Sequence, residues 1–104
     1  MSNTQTTIVL EPTIDAAASE EFIVGYSEGI TVTCVGLAGS ETAQVQFKDP
    51  IDNTWHDLSQ SGVLIKYTST IQSIDVWNTG GVFRLNKDAT VAEVGVAVTR
   101  YLTN

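Results

Sequence analysis

His56 is the single histidine of the chain, and Asp49, Asp52 and Asp57 stand close to it in sequence. An imidazole among carboxylates is raw material for an acid/base pair or a metal site. A catalytic histidine also needs a nucleophile and an orienting group in reach. The nearest hydroxyls, Ser59 and Ser61, sit in a polar turn without the glycine-flanked elbow of a serine hydrolase. His56 therefore reads as the solvated end of a hairpin. The same acids could offer oxygens to Ca²⁺, but their spacing lacks the glycine and terminal glutamate of an EF-hand loop. Two acids for glycoside hydrolysis must face each other across a cleft, and a small domain offers little room for one. These residues predict a protein that is not an enzyme, with no catalytic residues, no metal and no cofactor.

The aromatic residues allow a different chemistry. Trp55, Trp77, Tyr26, Tyr67 and Tyr101 could present rings to sugars, as in carbohydrate-binding β-sandwiches. Packing is the stronger reading for the tryptophans: Trp55 follows the apolar face expected of its hairpin, and Trp77 ends an apolar strand. Tyr101 lies near the C-terminus, on the small-residue face of the last strand, and reads as an interface residue.

The elements that must position these groups are strands. Residues 43–58, AQVQFKDPIDNTWHDL, alternate Val45 and Phe47 with Gln44, Gln46 and Lys48, and Trp55 with Thr54 and His56. Between the arms, Asp49-Pro50-Ile51-Asp52-Asn53 combines a fixed φ with side chains that hydrogen-bond their own backbone, so the stretch predicts a hairpin whose Phe47 and Trp55 share one apolar face. Ile30, Val32 and Cys34 alternate with Thr31, Thr33 and Val35. In the last segment Val94, Val96 and Val98 alternate with Gly95, Ala97 and Thr99, small residues that permit close approach by another surface. Further strands are expected at 6–11, 21–24, 63–67, 73–77 and 82–85, with Pro12 ending the first. Residues 14–21 suit either a helical turn or a loop, and 86–89 a polar connection. The turns at 38–41 and 78–81 carry glycines able to take positive φ.

Short strands about ten residues apart, punctuated by Gly, Asn, Asp and Ser, predict an all-β fold, a small antiparallel β-sandwich of about eight strands. The long helices of a parallel α/β sheet are missing. A chain of 104 residues makes a single domain, expected over 7–104 behind a flexible polar arm, Met1 to Thr6.

Composition narrows the partners. Twelve acids against five bases give a net charge of −7, which repels phosphate backbones and anionic lipids, so neither nucleic acid nor membrane is expected. The first residues lack the basic start and apolar centre of a signal peptide, and synthesis in the cytoplasm is expected. Cys34, the lone cysteine, forms no internal disulfide or cysteine-based zinc site, and its neighbours Val32, Val35 and Leu37 suggest a buried thiol.

From Thr31 onward, the segments VQFKDPIDNTWHDL, GVFRLNKDAT and VAEVGVAVTRYLTN resemble the small structural β proteins of tailed-bacteriophage virions. In that group a strand, an Asp-rich turn, a Thr-Trp pair and a further strand are followed by a Gly-x-Tyr/Phe-Arg strand and a closing Val-Gly-Val-x-Val strand. Gly81, Phe83 and Arg84 match the first of these patterns, and Val94 to Val98 the second. The resemblance implies an immunoglobulin-like or jelly-roll sandwich and a non-enzymatic virion component. Such a protein decorates or cements the outside of the capsid, or forms part of a head fibre or tail. The partner expected on this basis is the major capsid protein, with further copies of the chain itself as a second partner. Its place would be the capsid surface. The N-terminal segment would add a strand to a neighbour's edge, making Thr6, Thr7, Ile8, Val9, Leu10 and Tyr101 the expected partner-binding residues. The alternative is a carbohydrate- or receptor-binding module of a fibre or tail, with Trp55 and Trp77 on the ligand.

Overall fold

Period-two alternation is met by burial on one side of each long strand. Ile30, Val32 and Cys34 are at most 3% exposed, as are Val94, Val96 and Val98. The computed structural model describes residues 3–25, 29–60, 62–77 and 81–102, and of residues 3, 4, 29, 60, 75–77, 101 and 102 only the backbone. No helix occurs among the described residues.

Among the described residues twelve strands follow one another in the order β1 (Asn3–Thr13), β2 (Ala17–Ala18), β3 (Phe22–Val24), β4 (Gly29–Val35), β5 (Ala43–Lys48), β6 (Trp55–Asp57), β7 (Ser59–Gln60), β8 (Val63–Leu64), β9 (Lys66–Tyr67), β10 (Ser73–Trp77), β11 (Gly81–Lys87) and β12 (Val94–Leu102). Sheet A has the order β1-β12-β4-β10. Sheet B has the order β2-β11-β5-β6, with β3 also on β11 and β9 also on β5. Every pairing is antiparallel, and β7 and β8 form a separate ribbon. Val32, Cys34, Val96 and Val98 of sheet A meet Val45, Phe83, Leu85 and Tyr67 of sheet B in one core. Each fully buried side chain of this size contributes about 1.5–3 kcal/mol, and this layer holds the two sheets together. The all-β sandwich is as expected, and the strands beyond eight are mostly two-residue pieces.

Several boundaries differ from expectation for physical reasons. The polar N-terminal stretch is strand from Asn3: Asn3 to Thr7 pair residue by residue with Leu102 to Val98. Its threonines suit a half-exposed strand, and the Thr6 and Thr99 hydroxyls bond each other across the pair at 3.0 Å. Pro12 lies inside β1 rather than after it, which an edge strand with shifted register at Leu10 to Thr13 tolerates. Residues 14–21 form no helical turn. Ser19 straps this segment to sheet B instead, its N–H donating to Leu85 O at 2.8 Å and its Oγ accepting from Leu85 N–H at 2.9 Å. Val63 and Leu64 are 66% and 46% exposed on the small ribbon, and Tyr67 takes the core position at the end of that segment. The stretch at 86–89 is strand as far as Lys87, whose side chain is buried.

The largest departure is the register of the central hairpin. Lys48 stands opposite Trp55, Phe47 opposite His56 and Gln46 opposite Asp57. Directly opposed residues of an antiparallel pair share a face, so Trp55 joins Lys48 and Gln46 on the outside of sheet B, and Phe47 faces His56. The apolar face expected to hold Phe47 and Trp55 together does not exist.

Candidate functional site

The hairpin end gathers the residues with the most obvious chemistry. Asp49 Oδ1 accepts from Ile51 N–H at 2.7 Å, and Asp52 Oδ1 accepts from both the N–H and the hydroxyl of Thr54. These bonds are what close the turn, and they hold Asp52 below the usual carboxylate range, the Thr54 hydroxyl acting most strongly. Asn53 takes a φ of 61°, a left-handed position that asparagine tolerates. The remaining oxygens face the imidazole: His56 Nε2 lies 3.3 Å from Asp52 Oδ2, 3.8 Å from Asp49 Oδ2 and 2.9 Å from Thr54 Oγ1. The His56 ring also lies against Phe47, with centroids 5.7 Å apart. Asp57, the third acid flagged beside it, points to the other face of sheet B and is not part of the group. Among the described residues the hydroxyl that His56 meets is that of Thr54, which is itself donating to Asp52. The arrangement is an ion-pair and turn-capping network, and it can hold the hairpin end in one conformation.

Sheet A presents a surface of a different kind. The outward positions of β1, β12 and β4 carry Thr6, Ile8, Ala97, Thr99, Thr33 and Val35, in register as Thr6 to Thr99, Ile8 to Ala97 and Ala97 to Thr33. Ile8 and Val35 are 54% and 56% exposed. Between them, over Gly95 and Ala97, runs a trough of about 330 Å³ bordered also by Leu10 and Pro12. Gly95 forms part of its floor, and a Cβ there would meet Pro12 Cγ at 3.1 Å, a tight contact that the proline ring would have to relieve by shifting. Of the described residues lining the trough only Glu93 is charged. An exposed apolar patch of this kind on a protein of net charge −7 marks a candidate interaction surface.

The expected partner-binding residues divide accordingly. Thr6 and Ile8 face outward on the edge strand, Leu10 is half-buried at the trough, and Thr7 is exposed. Val9 is buried in the core, and its carbonyl accepts from Glu20 N–H at 2.7 Å, so its side chain is not on offer. The side chains of Tyr101 and Trp77 lie outside the described residues, as does Tyr26 altogether.

Trp55, the other expected ligand-binding residue, is half-buried on the outer face of sheet B, with the Arg84 guanidinium 4.4 Å from its ring centroid and Lys48 Nζ at 5.9 Å. Its neighbours on that face are Gln44, Gln46, Asp57, Arg84 and Asn86. The sequence singles out Trp55, Asp57 and Arg84 separately, for different reasons, and does not bring them together with Gln44, Gln46 and Asn86. The signal was present in the alternation of Gln44, Gln46 and Lys48 with Ala43, Val45 and Phe47, but it gains meaning only when β6 and β11 are set beside β5.

No family model and no curated protein matches the chain. The crystal structure of the SPBc2 prophage-derived protein YomS is similar over 98% of this chain and 96% of that one, with a TM-score of 0.73 and 17% sequence identity. At that identity the likeness is one of fold alone.

Proposed function

We propose that this chain is a non-enzymatic structural protein of a tailed-phage virion, binding the outside of the capsid as a decoration or cement protein. The observation that carries the reading is the largely apolar trough of sheet A, flanked by Ile8 and Val35 and carrying Glu93 as its one charged residue among those described, on an acidic molecule. The likeness of fold to a prophage-derived protein supports a phage origin. A cement protein needs area rather than chemistry: it binds the assembled shell and not its dissociated state, so many copies together shift the balance toward the intact particle. The outer face of sheet A offers such area to the major capsid protein, with the outward hydroxyls of Thr6, Thr33 and Thr99 available to polar groups around the apolar centre. The alternative, a carbohydrate- or receptor-binding module of a fibre or tail, draws support from Trp55 standing on the outside of sheet B rather than in the core.

The test is sedimentation of the protein with empty capsids of the phage whose genome encodes it, beside the Ala97→Glu variant, which places a charge in the trough without touching the core. Saturable co-sedimentation by the parent chain, lost in a folded Ala97→Glu variant, is the expected result. A parent chain that stays in the supernatant would overturn the proposal. Equal binding by the two would move the docking surface away from sheet A.

A further inference from the structure

The outer face of sheet B holds a network of side chains with fixed donors and acceptors. Arg84 Nε donates to Gln46 Oε1 at 2.9 Å, and this orients the Gln46 amide so that its Nε2 donates to Asp57 Oδ1 at 3.0 Å. Gln44, with its amide nitrogen turned toward β6, donates to Asp57 Oδ2 at 2.7 Å. Two glutamines from one strand thus grip one carboxylate from the next, and Arg84 sets the direction of the chain. The Arg84 guanidinium lies over the Trp55 ring, 4.4 Å from its centroid. Beside this network lies a small pocket of about 280 Å³, lined by Thr42, Gln44, Gln46, Asp57, Asn86 and Asp88.

We infer that this pocket is a binding site for a neutral saccharide. The lining disfavours two ligand classes. Every residue in it is polar, so an apolar ligand would leave carboxylates and amides without partners. Two carboxylates and the overall charge of −7 repel anions, including sialylated and phosphorylated glycans. Polyols match the lining: each sugar hydroxyl donates once and accepts twice, and the pocket offers carboxylate oxygens next to amide groups that both donate and accept, whereas a cation would meet the amide N–H groups already directed at Asp57. Asp57 is the centre of the arrangement. Oδ1 receives both glutamines, Gln46 at 3.0 Å and Gln44 at 3.0 Å, while Oδ2 receives Gln44 alone at 2.7 Å, so Oδ2 is the oxygen with acceptor capacity left for a hydroxyl donor. The pocket is near the lower end of the ligand-site range of about 300–1,000 Å³, which suits one or two sugar units rather than a long chain. Trp55 lies next to the pocket with one ring face under Arg84, so its part is to hold Arg84 in place, and through it Gln46. It is a positioning residue here, not the stacking platform that its type suggests. The site is on the sheet opposite the proposed capsid-docking face, and the two readings stand or fall separately.

The experiment is titration of the ¹⁵N-labelled full chain with methyl mannoside, lactose, cellobiose and N-acetylglucosamine, following the side-chain amide signals of Gln44, Gln46 and Asn86. Sialyllactose and calcium chloride serve as the competing ligand classes. The expected result is a saturable shift of these three signals with at least one neutral sugar, weakened about tenfold or more in Asp57→Asn. Asn86→Ala serves as a second variant that leaves the Gln44 to Asp57 grip intact, and Trp55→Phe is expected to weaken binding less than either. Unmoved amide signals with every neutral sugar would overturn the inference. So would a response to sialyllactose or calcium chloride in place of the neutral sugars, or full binding by Asp57→Asn and Asn86→Ala.

Discussion

The Tyr67 hydroxyl donates to the Val32 carbonyl at 2.6 Å, and the two residues are fully buried. One belongs to the two-residue strand β9 of sheet B and the other to the middle of sheet A, so this bond ties the layers together through the core. Tyr67→Phe keeps the ring and removes the donor. The expected loss is about 1 kcal/mol, the net worth of one such bond, or roughly 4–8 °C in melting temperature for a domain of this size. Urea denaturation read by fluorescence measures it. A variant as stable as the parent would show that the ring alone does the joining.

Lys87 is 3% exposed, and its ammonium donates to Asp15 O at 2.7 Å, to Asp88 O at 3.1 Å and to Thr90 Oγ1 at 3.2 Å. Three donors meet three acceptors, which makes the burial of this charge tolerable. The cation pins the segment after β1 to the loop between β11 and β12. Lys87→Met leaves those acceptors without a donor and is expected to cost about 2–3 kcal/mol. Hydrogen exchange should show the opening concentrated at residues 14–16 and 88–92 rather than spread over the sheets.

Lys87 also marks where sequence reading stops. Phe83, Leu85 and Lys87 alternate in period two, but a lysine at the third position reads as the end of the strand, because the shortest of the three bonds that admit it runs to Asp15 O, far away in sequence, and the other two depend on how the loop after β11 folds back. The long strands were legible for the opposite reason: Ile30, Val32 and Cys34, like Val94, Val96 and Val98, declare their buried face within a few residues. Hairpin parity was not legible. Whether Trp55 shares a face with Phe47 or with Lys48 depends on how many residues the turn takes up, and Asp49 to Thr54 fit either count until Asp49 N–H donates to Thr54 O and fixes the register. The polar pocket followed from that register and was invisible for the same reason. The small-residue face of the last strand was readable in Gly95 and Ala97. Part of the room it leaves is taken by Pro12 of the same chain.

Gly36 has a φ of +119°, and a Cβ there would overlap the Glu93 carbonyl oxygen at the start of β12. The clash is with backbone, and no rotamer relieves it. Gly36→Ala is expected to destabilise by about 2–4 kcal/mol through strain and displacement of β12. Gly39, also at positive φ but with open space around it, is the control, and Gly39→Ala should cost less, about 1 kcal/mol. Thermal melts of the two variants give the comparison, and equal losses would show that φ alone governs both positions.

Glu41 joins two loops by accepting from Ala38 N–H and Val91 N–H, both at 2.9 Å, and these bonds hold its carboxyl below the usual glutamate value. A folded value lower than the unfolded one contributes stability above the unfolded value of about 4.3, lost as pH falls through the folded value. Asp52, lowered by Thr54, adds to the same acid limb. Glu41→Gln is therefore expected to reduce stability at neutral pH and to flatten its decline below about pH 4.3. Urea midpoints between neutral and acid pH test this. A Glu41→Gln curve parallel to that of the parent would remove Glu41 from the acid response.

Cys34 has no exposed surface, and burial pushes its thiol up to about 11, with Lys87 opposing the shift. Here the sign is reversed, because the fold disfavours the thiolate. Stability from this group is fully present below the unfolded thiol value of about 8.5 and is lost as pH rises from there toward the folded value. Two outcomes follow from the same burial. Iodoacetamide should label Cys34 only as fast as the domain opens, so that labelling tracks the unfolding rate in urea rather than thiolate chemistry. Cys34→Ala should lose stability at neutral pH through the cavity that it leaves, yet show a shallower decline at alkaline pH than the parent. Rapid labelling of the native protein would contradict the buried position between Val32 and Val96. An alkaline slope unchanged in Cys34→Ala would assign that limb to other groups.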